Sequence, residues 1–498
     1  MVKNLIFLEI LIVIGATIFY MASTRATRRD VGHLPAIVMA STAAVVFLAP
    51  SLLIINLAIG MIPLIFGRTK LKVGIIVAAG MFAVPALPVN LVVGGAWLFA
   101  WTTQCTLAAT GLIAFLAAPG RIPSSQRWAD VTLVTVMAVL VVIDARGGEW
   151  IGFLRQLVFY TFVYAIPVFI VTRSARNAAD WRVLLTAMAG LGVILAVIVL
   201  YEARSNWPLY APVISNFDDT VRLVVKWRGG MMRAYGPMGE ATQMGCVLVI
   251  CFAAALAARK SFVSTLGYTG IVLLIALGSL APQSRGGLIG IAIAFICSAF
   301  YRRGIKGISQ MFAAASLLGG AYAASMLLVS MGSQITTSLT EAQSGTYRSE
   351  LWIRGLEEFW KSPVFGDSFV NVVARMQDLV QGEGIVDFVN TYLYIALFSG
   401  AIGFVSFCIA HLLPIGRLLQ VRRLLPPHSA EREVAGFCFA LLISAAVMIA
   451  FTAYLQRPST FFLVASTIAF MINTPRRSVG PVTPVSRPAA PETMAVRA

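Results

Sequence analysis

Residues 183–203 read VLLTAMAGLGVILAVIVLYEA, with one charge, Glu202, next to the end. As a helix such a stretch is about 30 Å long, the thickness of a bilayer's hydrocarbon layer. Arg173, Arg176 and Arg182 come just before it. A helix satisfies its own backbone in lipid, and cations at one end mark the cytoplasmic side of a span.

The pattern recurs outward from this stretch in both directions. Apolar windows lie near 4–21, 35–49, 51–66, 73–90, 96–118, 130–145, 153–172, 239–258, 264–281, 285–301, 308–330, 389–412, 434–453 and 459–473. Pro50 splits 35–66 into a short hairpin, and Pro85 and Pro88 make 80–95 a broken or interfacial segment. Asn4–Met21 contains Glu9 and runs into Arg25, Arg28 and Arg29, so it reads as a first span and not a signal peptide. Of 498 residues, 59% are apolar and 12% charged, against roughly a quarter charged in soluble chains. The expected fold is an all-α polytopic membrane protein with about 13–15 transmembrane helices.

A net charge of +17 does not point to nucleic acid, because the cations sit in short runs between spans. Examples are Arg68/Lys70/Lys72, Arg121/Arg127, Arg259/Lys260, Arg302/Arg303/Lys306, Arg417/Arg422/Arg423 and Arg476/Arg477. With those runs in the cytoplasm, a single transmembrane domain 1–473 carries two long periplasmic loops, 204–238 and 331–388. Residues 474–498, rich in Pro, Ala and Val, read as a disordered cytoplasmic tail. The six cysteines fall in or beside apolar segments and read as packing residues.

Chemistry is therefore sought in the two loops. Loop 204–238 sets Arg204, Arg222, Lys226, Arg228 and Arg233 against Glu202, Asp218 and Asp219, a composition suited to an anion. Ser284-Arg285-Gly286-Gly287 opens a span, so Arg285 stands at a helix N-terminus where a cation opposes the dipole unless an anion lies between them. Arg348 repeats this after Ser344-Gly345-Thr346, in an amphipathic helix 346–361 with a stripe of Trp352, Leu356, Phe359 and Trp360. That helix either lies on the outer membrane surface or packs into the core, and Gly355 is its weak point. Arg354, between Glu350 and Glu358, reads as an ion-pair residue. His33, His411 and His428 fall in or beside cytoplasmic loops, which leaves no outer histidine as base or metal ligand. The outer carboxylates include Glu240, Glu350, Asp367, Asp378, Glu383 and Asp387.

Several pieces in this order resemble the O-antigen ligase and Wzy-type polysaccharide polymerase superfamily. They are Arg228-Gly229-Gly230 through Tyr235-Gly236, Ser284–Gly287, Tyr347-Arg348 with Leu351-Trp352, Pro363-Val364-Phe365-Gly366, and Val389-Asn390 followed by Gly400-Ala401-Ile402-Gly403. Val389 departs from the pattern, since the ligases have histidine there, and this favours a polymerase. The resemblance implies a GT-C-like glycosyltransferase of the bacterial inner membrane, independent of metal and cofactor. Its donor would be an undecaprenyl-diphosphate-linked oligosaccharide and its acceptor a glycan or lipid, with membrane lipids and a chain-length regulator as further partners. Arg285 and Arg348 would stabilise the departing diphosphate. Arg228 and Arg233, with Tyr235 and Asn390, would bind substrate, and Asp387 or Glu240 would act as base. The competing readings are a ligase that delivers glycan to lipid A core and a lipid-linked glycan transporter.

Overall fold

The computed structural model describes residues 1–93, 96–123, 127–146, 150–217, 225–228, 230–304, 337–380, 386–454 and 456–472. The expected span 308–330 and the tail 474–498 lie outside them.

Polar N-caps divide the apolar sequence into helices. Thr24, Ser51, Thr69, Asn177, Ser264 and Ser429 each accept a backbone N–H from the first turn of the helix they precede. In chain order the helices are α1 (Val2–Ala22), α2 (Arg25–Asp30), α3 (Leu34–Leu48), α4 (Leu52–Phe66), α5 (Lys70–Ala83), α6 (Thr103–Ala117), α7 (Arg127–Ala145), α8 (Trp150–Tyr160), α9 (Ile166–Ser174) and α10 (Ala178–Ser205). There follow α11 (Ala211–Phe217), α12 (Ala241–Ala257), α13 (Thr265–Gly278), α14 (Arg285–Arg303), α15 (Thr337–Lys361), α16 (Phe369–Arg375), α17 (Thr391–Leu424), α18 (Ala430–Met448) and α19 (Gln456–Met471). Among the described residues six segments are by themselves long and apolar enough to span a bilayer: α1, α7, Trp150–Ser174, α10, α14 and α17. The chain is an all-α polytopic membrane protein.

The helix that contains the opening stretch, α10, is the central mast, buried along most of its length and packed on α1, α12, α13 and α5. By contrast α1 leaves Ile6, Ile10 and Val13 exposed, as expected where lipid is the solvent. One face gathers the cations: Arg182 and Lys260 share Glu433 at 3.0 and 2.9 Å, and Arg422 and Arg432 bind the Tyr301 carbonyl. At the opposite face Asn4 reaches the Leu209 carbonyl at 2.8 Å, and Lys3 lies over Trp207.

Three sequence expectations change. Helix α5 stops at Ala83, and Pro88–Val93 (β1) pairs antiparallel with Ala96–Thr102 (β2), so the start of the expected span 96–118 is strand. Valines and aromatics suit a pleated ribbon, and the prolines end the helix before it. The short hairpin α3–α4 forms as expected. Helix α17 breaks at Gly400 (φ +64), and its main rod runs on to Leu424. His411 is therefore not beside a loop. It is buried within the rod, Nδ1 3.0 Å from the Phe407 carbonyl and Nε2 3.5 Å from the Tyr454 hydroxyl.

Candidate active site

The site is built on the turn 281–284 between α13 and α14. Ser284 caps α14 by accepting the Gly287 N–H. Gly245 and Gly287 let α12 approach closely, since a Cβ on Gly287 would lie 3.1 Å from the Gly245 Cα. The loop before α12 docks on this turn: Ala234 N–H donates to the Ala281 carbonyl at 3.1 Å, Arg233 Nε to Pro282 at 3.1 Å and Arg228 Nη1 to Gln283 at 2.8 Å. Gln283 adopts φ +48, a conformation non-glycine residues rarely hold outside constrained sites. Two arginines and the helix that begins with Arg285 thus meet at one turn. The guanidinium bonds of Arg228 and Arg233 to this turn go to neutral carbonyls, which fix their position without cancelling their charge.

Buried groups behind the loop anchor it. Glu202, fully buried, accepts the Leu209 and Gly236 N–H groups at 2.9 Å each. Arg457, also buried, donates to the carbonyls of Val84, Pro237 and Met238 at 3.2–3.3 Å. Arg457 lies between the expected spans 434–453 and 459–473, where the sequence reading does not single it out, and it is the second residue of α19.

Arg348 comes to the same place from α15, but the helix starts at Thr337 and not after Ser344-Gly345-Thr346, so Arg348 stands within the helix and not in its first turn. Burial, followed by the repulsion of Arg285 and Arg228, lowers its pKa, and Asp387 opposes that shift. The four groups, distant in sequence, therefore share one electrostatic neighbourhood. Arg233 is lowered in the same way by burial and by Arg228, with Glu240 opposing. Next to Arg348, the Tyr347 hydroxyl donates to the Asp387 carbonyl at 3.0 Å and accepts the Asp387 N–H at 2.9 Å. This clamp sets the backbone from which the Asp387 side chain projects.

The other candidates occupy supporting positions. Both Glu240 carboxylate oxygens cap α12, accepting from Thr242 and Gln243 at 3.0 Å. Asn390 caps α17 through Tyr392 and Leu393. Tyr235 is buried, with no hydrogen-bond partner at its hydroxyl among the described residues, and Gln283 Oε1 shares that condition. Arg354 is an ion-pair residue as expected, but its partners are Glu357 at 2.7 Å and Asp378 at 3.2 Å, not Glu350 and Glu358. Glu358 turns inward to Lys361 and Arg375. Arg375 also reaches Asp367 at 2.7 Å, and hydrogen bonds from Asn371 and Arg375 hold that carboxyl down to about 2.

The residue string 363–366 has a structural role. Ala401 N–H donates to the Pro363 carbonyl at 2.8 Å and Asp367 N–H to Leu397 at 3.0 Å, so the loop after α15 seats in the break of α17. Gly366 and Gly400, both at positive φ, meet backbone to backbone there, and a Cβ on either would lie within 2.6 Å of the other strand.

Fold and site together define a multi-pass helical membrane protein with a cluster of arginines fixed at the face opposite its basic loops. Residues 270–408 match the family model described as O-Antigen ligase, which supports the resemblance of that segment to the O-antigen ligase and Wzy superfamily. The matched segment contains Arg285, Arg348, Asp387, Asn390 and the Gly366–Gly400 junction, while Arg228, Arg233, Tyr235 and Glu240 precede it. No curated protein matches the chain.

Proposed function

We propose that the protein polymerises lipid-diphosphate-linked oligosaccharide repeat units at the periplasmic face of a bacterial inner membrane. The observation that carries this reading is the meeting of Arg228 and Arg233 with the Arg285 end of α14 at one turn, with Arg348 near enough to be affected by Arg285 and Arg228. Several guanidiniums beside the N-terminus of a helix suit a diphosphate, whose oxygens can accept from more than one of them at once. In the transfer, an acceptor hydroxyl oxygen bonds to the anomeric carbon while the bond from that carbon to the diphosphate oxygen breaks. The bonding pair leaves on the diphosphate, and the hydroxyl proton passes to a base. Fixed guanidiniums favour this step because charge on the leaving group grows as it proceeds, and we assign them that role without a metal. We assign the base to Asp387, which lies beside Arg348, or to Glu240, whose two oxygens accept helix N–H groups. Val389 in place of histidine supports polymerase chemistry.

The family description keeps a second reading in view, transfer of a finished glycan to another acceptor such as lipid A core. Membranes supplied with undecaprenyl-diphosphate-linked repeat unit alone distinguish the two. A polymerase gives a ladder of products separated by one repeat. Product that forms only after lipid A core is added, in a single step, would replace the polymerase by a ligase.

A further inference from the structure

A cavity of about 570 Å³ opens on the basic face, far from the arginine cluster, between the turn after α12, the start of α13 and the end of α14. Arg259, Lys260, Arg302 and Arg303 line it beside the apolar Val263 and Phe295. Among the described residues the one acid in its lining, Glu433, is already shared by Lys260 and by Arg182. Arg302 spends its guanidinium on neutral acceptors: the Ser298 carbonyl at 3.3 Å, the Leu256 carbonyl at 3.3 Å and the Ser298 hydroxyl at 3.1 Å. Arg259 lies over the Tyr268 ring at 5.8 Å. At the mouth, α13 begins at Thr265, and Ser264 accepts its Gly267 N–H, so the partial positive end of a helix adds to the cations.

We propose that this cavity holds the headgroup of an anionic phospholipid from the leaflet on the basic side. A solvated basic face would need no apolar wall, and a site for a free anion would need no contact with the lipid layer. This cavity has both features: Arg259, Lys260 and Arg302 stand with a single carboxylate, already shared, among the described residues of the lining, and its wall leads to exposed apolar side chains, Val263 being 65% exposed and Leu266 83%. Its volume falls in the range of small-molecule sites. Basic pockets between spans on the cytoplasmic side are suited to such headgroups, each cation being worth about a fivefold change in affinity. The inference rests on the membrane fold and is independent of the glycan chemistry.

The test is native mass spectrometry of the full-length protein with phosphatidylglycerol or phosphatidylcholine at equal concentration. The wild type should retain phosphatidylglycerol in preference. Arg259→Gln, which removes a cation, and Val263→Glu, which places a carboxylate at the mouth, should each weaken retention about fivefold. Both side chains are exposed, and an unchanged thermal midpoint checks the fold. Arg423→Gln, on the same face but outside the lining, should change nothing. Equal retention of the two lipids overturns the proposal, as does an equal loss in Arg423→Gln. Displacement of the lipid by glycerol phosphate at the same concentration would make this a free-anion site and overturn the lipid assignment.

Discussion

At the scale of single residues, Arg348 and Arg354 stand six positions apart on α15 and differ in what surrounds them. Arg354 is tied to Glu357 and Asp378, whereas Arg348 stands in the field of two other arginines with Asp387 as the opposing charge. Arg348→Lys should therefore lose most glycan transfer although the charge is kept. Lysine cannot offer the planar two-point fork, and removing one such donor costs about 100- to 1000-fold in rate. Arg354→Lys should stay largely active, because exposed ion pairs contribute little. Polymer yield from membranes supplied with lipid-linked repeat unit, normalised to expression, measures both. Normal yield from Arg348→Lys would exclude bidentate contact. Helical spacing marked Arg354 as an ion-pair residue, and Glu357 three positions on is one of its partners. The sequence reading paired Arg354 with the wrong carboxylates because Glu358 faces inward to meet Arg375, a residue brought in by tertiary packing.

Among elements, α15 shows what periodicity reveals and what it leaves out. Of the stripe Trp352, Leu356, Phe359 and Trp360, Phe359 packs against the core, while the other three are exposed, with Trp360 at 72%. The packed side is Leu351, Gly355 and Glu358, and Gly355 is no weak point: a Cβ there would lie 2.7 Å from Leu393. In lipid an apolar stripe does not imply a core, because the surroundings are as apolar as the interior. The same closeness governs the Gly366–Gly400 junction. Gly400→Ala would place a methyl 2.3 Å from the Val364 carbonyl oxygen at φ +64. We expect a loss of about 3 kcal/mol or more, with lower expression and a lower thermal midpoint. Gly416→Ala, where nothing lies within 4 Å, should be harmless. Comparable stability in the two variants would mean that the break in α17 is not held by this contact.

For the whole molecule, the basic runs and the arginine cluster occupy opposite ends of the helix bundle, so orientation determines which compartment the chemistry faces. A cysteine at Val380 should be labelled by a membrane-impermeant reagent from the periplasm, and one at Arg423 only after permeabilisation. The native cysteines are buried or half-buried and should give low background. The opposite result would place the site on the cytoplasmic side and remove the proposed donor, which is presented outside.

The sequence by itself determined the membrane class, most span positions and the arginines worth attention. These depend on local quantities: apolar length against bilayer thickness, charge between spans, and caps at helix starts. The β1–β2 ribbon, the interior position of His411, and the roles of Gln283, Arg457 and Tyr347 were decided only by the tertiary structure. Each depends on contacts between segments far apart in the chain. Arg457 meets Val84 and Pro237, Tyr347 meets Asp387, and Gln283 takes its left-handed turn where a loop some 50 residues earlier docks on it. A buried polar group must find its partners wherever the fold brings them, and no local pattern records where that will be.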